Sequence, residues 1–245
     1  MELWYMALAF LVTASIYSSA GFGGGSTYLA LLSIFPDAVF IRSVAYICNA
    51  LVTGRSTYSF AKADWIKWND IWPYLGGSVP LAIVGGTIHL DTKWYLFILG
   101  LTLCFSALWM VIGLSFTPKW NLFTRTPFKI VSGATIGFLS GLVGIGGGVF
   151  LAPLLYLSKD QTHKSIAGIT SAFILVNSIF GACAYWLSNG FVLHFNVSWK
   201  LLLAVVLGGY LGTYFTVKNK WKNYLRLMTA LLIGVVGIRL ILNGI

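Results

Sequence analysis

The amino-acid sequence predicts an all-α polytopic membrane protein of about eight hydrophobic segments in two inverted repeats. Three observations carry that prediction. Of the 245 residues, 58% are hydrophobic and only 9% are charged, where a soluble domain runs at roughly 45–50% apolar and about 25% charged. The apolar residues fall in runs long enough for the roughly 20 residues that a helix needs to cross a bilayer. Motifs of the first half recur in the same order in the second. This composition excludes a soluble enzyme, and at about 30 residues per helix plus connection the length leaves no room for a soluble catalytic domain.

The apolar segments are 3–35, 38–60, 71–90, 94–116, 130–157, 165–188, 199–217 and 224–243. The first begins as a signal peptide would, with an apolar stretch from Leu3 to Ile16 before Ser18, Ser19 and Ala20. It has no basic leader and it recurs in mid-chain, so it belongs to the mature protein. Gly21-Phe22-Gly23-Gly24-Gly25 interrupts it, and Gly144-Ile145-Gly146-Gly147-Gly148 interrupts the fifth segment, 123 residues later.

The second and sixth segments carry polar residues at matching depths. Asn49, Thr53, Arg55 and Ser56 face Thr170, Ser171, Asn177 and Ser178 in the alignment, which pairs Arg42-Ser43 with Lys164-Ser165 and Asn49-Ala50 with Ser171-Ala172. The third and seventh segments share Gly76-Gly77 and Gly208-Gly209. The fourth and eighth open on Lys93-Trp94-Tyr95-Leu96 and Lys222-Asn223-Tyr224-Leu225. Ordered matches of this extent indicate a duplication, with a first repeat at 1–117, a basic loop at 118–129 and a second repeat at 130–245.

Charge placement decides how the broken segments lie. The net charge is +10, but the basic residues fall in short gaps between apolar runs, which marks membrane topology and not a nucleic-acid surface. Eight plain crossings would divide the 16 basic residues evenly. If the two glycine-broken segments are instead re-entrant hairpins, one face collects Arg55, Lys62, Lys67, Lys119, Arg125, Lys129, Lys159, Lys164, Lys218, Lys220, Lys222 and Arg226. The other keeps Arg42, Lys93, Lys200 and Arg239. Twelve against four is the bias that the positive-inside rule demands. Each half then has one hairpin and three crossings, an odd number that inverts the second half relative to the first, with both termini on the non-cytoplasmic side. Trp65, Trp68, Trp72, Trp94, Trp120, Trp186, Trp199 and Trp221 lie near segment ends, at headgroup depth.

Few residues can carry chemistry. Cys48, Cys104 and Cys183 have no metal or disulfide spacing, and no cofactor is implied. Glu2, Asp37, Asp64, Asp70, Asp91 and Asp160 all fall at termini or connections, as do His89, His163 and His194. With no carboxylate at membrane depth there is no acidic cation site or proton relay, and without HExxH, a Walker loop or a Ser–His pair there is no enzyme. Helix-interior glycine costs about 1 kcal/mol relative to alanine, so the glycine runs need a reason. Close helix packing is one. A helix break is the other, exposing N–H groups at the start of a half-helix near Ser26 or Val149, where partial positive charge can hold an anion. Arg55 lies toward the cytoplasmic end of its helix, where it can snorkel to the headgroups.

The run Gly141-Leu142-Val143-Gly144-Ile145-Gly146-Gly147-Gly148, with Pro153-Leu154-Leu155 and Ala167-Gly168-Ile169-Thr170-Ser171, resembles the signature of the sulfite exporter TauE/SafE family of membrane permeases. Gly21-Phe22-Gly23-Gly24-Gly25 is similar to that family's N-terminal motif. The first half departs from the pattern at Ala30, where the family has proline, and at Cys48-Asn49, where it has Thr-Ser. The resemblance implies transport of sulfur-containing anions, such as sulfite or organosulfonates, across the bacterial inner membrane.

The reading is therefore a multi-pass permease that moves a small anion by alternating access. Gly23, Gly24, Gly25, Ser26, Gly146, Gly147 and Gly148 would present backbone N–H groups, and Asn49, Thr170, Ser171 and Asn177 would supply side-chain hydrogen bonds. An anion channel and a non-transporting assembly or anchor protein are the alternatives, and the small-residue helix faces suit a homodimer. Cysteines introduced near Lys62 and near Lys159 are expected to label from the same face of the membrane; labelling from opposite faces would rule out the hairpin topology.

Overall fold

The computed structural model describes residues 2–32, 35, 37–88, 92–115, 125–158, 161–218 and 222–244. Ten helices account for nearly all of them: α1 (Glu2–Ser19), α2 (Gly25–Leu32), α3 (Ala38–Lys62), α4 (Trp68–Thr87), α5 (Thr92–Ser115), α6 (Thr126–Val143), α7 (Gly148–Tyr156), α8 (His163–Asn189), α9 (Phe195–Lys218) and α10 (Lys222–Gly244). The first and fifth apolar runs each become two helices, and every other run becomes one. His89, Asp91, Lys119, Trp120, Lys159, Asp160, Lys220 and Trp221, with most of the 118–129 loop, lie outside the described residues.

Local chemistry sets the helix ends. The Asp37 carboxylate accepts hydrogen bonds from Val39 N at 2.9 Å and Phe40 N at 3.0 Å, capping α3. Thr162 caps α8 by accepting from Ser165 N at 3.2 Å. Pro127 stands in the first turn of α6, where its missing N–H costs nothing. Among the described residues, Thr126–Val143, His163–Asn189 and Ser198–Val217 are each long and apolar enough to cross a membrane.

Close contacts of small residues define how the helices run. Cβ atoms at Gly208 and Gly212 would collide with the carbonyl oxygens of Leu11 and Ser15, and Thr216 Oγ1 donates to Ser19 O at 2.9 Å. The constant spacing makes α1 and α9 parallel. Gly133, Gly137 and Gly141 in the same way abut the carbonyls of Tyr74, Ser78 and Ala82, so α4 and α6 are parallel. In α3 and α9, Val52 lies beside Gly209 and Ser56 shares a 3.2 Å hydrogen bond with Thr213, again parallel. In α4 and α8, Gln161 reaches Asp70 at one end and Gly86 lies against Gly181 and Ala184 at the other. Two pairs run antiparallel: α3 with α8, through Ser43–Trp186 and Asn49–Ser178, and α5 with α10, through Cys104–Gly237 and Ala107–Gly234. It follows that α1 and α3 point the same way, as do α6 and α8.

Polarity is distributed as bilayer solvation requires. Leu203, Val206, Leu207, Tyr210 and Tyr214 form an exposed stripe on α9, while Ser43, Asn49, Thr53, Ser56, Thr170, Ser171 and Thr213 are fully buried. At one end Asp70 holds Lys129 Nζ at 3.0 Å and Gln161 Nε2 at 3.1 Å, joining α4, α6 and the approach to α8. At the other, His194 Nε2 lies 3.8 Å from Asp37 and Lys200 stands 4.8 Å over the Trp4 ring.

Gly137→Leu is expected to abolish or strongly destabilise the fold, because backbone of α4 occupies the space its side chain needs. Gly76→Ala meets nothing within 4 Å and is expected to leave the thermal midpoint in detergent unchanged or raised, since helix propensity adds up to about 1 kcal/mol of stability. Equal effects of the two substitutions would refute this account of the α4–α6 contact.

Candidate functional site

Both helix breaks use the same backbone geometry. Gly21 and Gly144 end α1 and α6 in the left-handed region, with φ of 83° and 82°. Gly24 and Gly147, with φ of 84° and 77°, then start α2 and α7. A side chain in that conformation costs roughly 1–2 kcal/mol, so the corners call for glycine. Thr27 N and Tyr28 N both donate to Gly24 O, and Phe150 N and Leu151 N both donate to Gly147 O, at 3.0–3.1 Å. The copies differ at one glycine: Gly146 has φ of 73°, whereas its counterpart Gly23 has no positive φ.

Asn49, in the middle of α3, joins the two breaks. Its Oδ1 accepts from Gly25 N at 3.3 Å, the first residue of α2. Its Nδ2 donates to Ile145 O at 3.1 Å, inside the second break, and to Ser178 Oγ on α8 at 2.9 Å. Thr53 Oγ1 donates to Asn49 O at 2.7 Å, anchoring the turn that carries the amide. The glycines make room for this bracing. A Cβ at Gly23 would strike Asn49 Oδ1, and one at Gly146 would lie 2.6 Å from Ser178 Oγ and 2.7 Å from Asn49 Nδ2.

The two half-helix starts are not equivalent. Gly25 N is engaged by Asn49, but Gly147 caps α7 without any side-chain hydrogen bond. Ser171, aligned with Asn49, is too short to do the same and donates to Gly168 O of its own helix at 2.9 Å. Thr170 packs on α7 instead, its Cγ2 2.8 Å from where a Gly148 Cβ would stand, and Ser140 Cβ lies 3.0 Å from that position at Gly147.

Thr170 Oγ1, Ser140 Oγ and Asn177 Oδ1 are buried without hydrogen-bond partners, as are Ser26 Oγ and Tyr28 Oη at the first break. Asn177 spends its Nδ2 on Phe173 O at 2.9 Å. Unpaired buried polar atoms each cost about 1–3 kcal/mol, which makes a cluster of them at a helix start a candidate ligand site. Among the described residues no group of three His, Cys, Asp or Glu is placed to hold a metal.

The structure thus sets Gly23, Gly25 and Gly146 against Asn49, places Gly24 beside Tyr28 and Thr13, Gly147 beside Ser140 and Phe173 and Gly148 beside Ile174 and Thr170, and turns Ser171 back onto its own helix. Sequence reasoning missed Ser140 and Tyr28. The one available signal for Ser140 was its position a helical turn before the Gly144 corner.

Asn49→Ala strips Gly25 N and Ile145 O of a partner, at about 1–3 kcal/mol for each orphaned group. It is expected to lower the detergent melting midpoint more than Ser178→Ala does, because Ser178→Ala leaves both breaks bridged. The reverse order would show that Asn49 does not brace them.

The sulfite exporter TauE/SafE family profile matches residues 5–240. A relative from Sinorhizobium fredii, described as a probable membrane transporter protein, is 31% identical over 250 residues, covering 96% of this chain and 97% of its own. Probable membrane transporter proteins of Methanocaldococcus jannaschii and Bacillus subtilis are 32% and 35% identical over 47% and 45% of this chain, and 45% and 39% of their own. No solved structure matches. A family match over almost the whole length, with glycine-broken helices in both halves, makes this chain a member of the sulfite exporter TauE/SafE family of membrane transporters.

Proposed function

We propose that the protein is a permease that carries small sulfur-containing anions, such as sulfite or organosulfonates, across the bacterial inner membrane by alternating access. The observation that carries this reading is that Asn49 ties the α2 start to the second helix break, which leads into the uncapped α7 start. Helix N-termini offer unpaired N–H donors and partial positive charge, so they hold an oxyanion without a charged side chain. The family description supplies the sulfur chemistry.

In this reading the anion sits against the α7 start, where Gly148 N and Val149 N have no acceptor within the helix. Thr170 Oγ1 and Ser140 Oγ donate to its oxygens, and Asn177 contributes a donor only if its amide gives up the Phe173 O bond. Asn49 keeps the α2 start in register and adds that helix's field from the opposite side. A pyramidal oxyanion has several acceptors to satisfy, and it finds N–H and O–H donors from three elements here. A cation would find no carboxylate at this depth.

The helix senses support two inverted repeats. Because α1 and α3 point the same way, the chain between them must return to the face it entered from, as a re-entrant hairpin does; α6 and α8 place the same requirement on α7. This arrangement puts Lys62, Lys67, Arg125, Lys129 and Lys164 at one end and Arg42, Lys200 and Arg239 at the other, and the richer end is cytoplasmic. One hairpin is then reached from each side, and sliding them past each other about Asn49 exposes the anion to one face at a time.

Purified protein in liposomes loaded with unlabelled sulfite is expected to accumulate labelled sulfite transiently by counterflow. Gly147→Leu, which meets Ile136, Ser140 and Phe173, is expected to abolish that flux with membrane insertion intact. Thr170→Val is expected to weaken apparent affinity about tenfold, the scale of one lost hydrogen bond to a charged ligand. Flux without counterflow would replace the carrier with a channel. Unchanged flux in Gly147→Leu would displace the site from the α7 start.

A further inference from the structure

Arg55 does not belong to the anion site. It occupies the outward stripe of α3 formed by Leu51, Arg55, Tyr58 and Lys62, spaced as one helix face, in which Leu51, Tyr58 and Lys62 are exposed. Beside it runs the exposed α9 stripe of Leu207, Tyr210, Leu211 and Tyr214. The guanidinium carbon lies 4.8 Å from the Tyr210 ring centroid and 5.8 Å from that of Tyr58. Tyr210 and Tyr214 themselves stack at 6.1 Å with a 14° interplanar angle. The result is a cation held in an aromatic notch on the lipid-facing surface, between two parallel helices.

Depth gives the notch its meaning. At 1.5 Å per residue Arg55 lies about 10 Å below Lys62, and Tyr210 about 12 Å below Lys218, at the ends of their helices. That sets the Arg55 backbone inside the helix, where a guanidinium is costly unless its long side chain reaches up to a headgroup anion. The tyrosine rings offset part of that cost through cation–π contact. No carboxylate among the described residues pairs with Arg55, and its buried Nε has no hydrogen-bond partner. The buried Nε is closed to the bilayer, and the terminal nitrogens of this half-exposed side chain are the donors left to meet an anion that comes from the bilayer side. Tyr58 and Tyr210 offer hydroxyl donors beside it.

We propose that Arg55, Tyr58 and Tyr210 form a binding site for the phosphate group of an anionic phospholipid in the cytoplasmic leaflet. Arg55 engages the phosphodiester oxygens, the tyrosine hydroxyls support it, and the acyl chains run down the apolar stripe of Leu51, Leu207 and Leu211. The lipid clamps α3 to α9 on the outer face of their contact, behind the Ser56–Thr213 hydrogen bond. Because α3 carries Asn49, such a lipid would also steady the helix that braces both breaks.

The test uses full-length protein in a neutral detergent, with native mass spectrometry counting adducts of phosphatidylglycerol and phosphatidylcholine from mixed micelles. Wild-type protein is expected to favour phosphatidylglycerol about fivefold, the scale of one basic residue at an anionic surface. Arg55→Gln should lose that preference, and Arg55→Lys should keep part of it. If Arg55→Gln does not fold, Tyr210→Leu on the exposed face supplies the same readout. An equal preference in wild type and Arg55→Gln would overturn the proposal, as would full competition by glycerol 3-phosphate, which would make this a site for free phosphate esters. The readout is lipid binding and not flux, so it is independent of the substrate assigned above.

Discussion

A helix cannot be broken inside a bilayer unless every freed N–H and C=O finds a partner, because no water is present to supply one. This chain breaks two helices at depth, and the structure around the breaks is the answer to that demand. Gly21 and Gly144 turn the backbone sharply enough that local hydrogen bonds absorb part of the freed groups. One amide, Asn49, absorbs more, reaching Gly25 N and Ile145 O together. Glycine is needed at the neighbouring positions because any Cβ would occupy the space of that amide or of the α8 side chains.

The same solvent explains the packing. Between apolar helices in lipid there is no hydrophobic drive, so association comes from close van der Waals fit and small polar bonds. Gly133, Gly137 and Gly141 bring α6 against the backbone of α4, and Gly208 and Gly212 bring α9 against α1. Each broken helix is thus strapped to an unbroken one from the other half. The breaks are held from outside by glycine contact and from inside by Asn49, which joins the α2 start to the second break by hydrogen bonds alone.

The two glycine breaks share their corner geometry, and one residue difference sets them apart. Asparagine at 49 bonds Gly25 N, while serine at 171 bonds Gly168 O of its own helix. The first half-helix is thereby capped and the second left open beside Thr170 and Ser140. The two breaks thereby end in different states, one braced by Asn49 and one without a side-chain cap.

Much of this was legible in the residue order. Composition required a membrane protein, the glycine runs marked both breaks, and the apolar runs placed each helix within a few residues, since run length and helix-breaking residues are local properties. Asn49 stood out as an amide at mid-depth for the same reason. Its partners did not, because a bond from α3 to Ile145 spans 96 residues and depends on how the helices pack. Helix direction, the unpartnered hydroxyls of Thr170 and Ser140, and the aromatic notch around Arg55 were likewise decided only in three dimensions. Each is a relation between surfaces of separate helices, and hydropathy along one chain records the surface of each helix without recording which surface it meets.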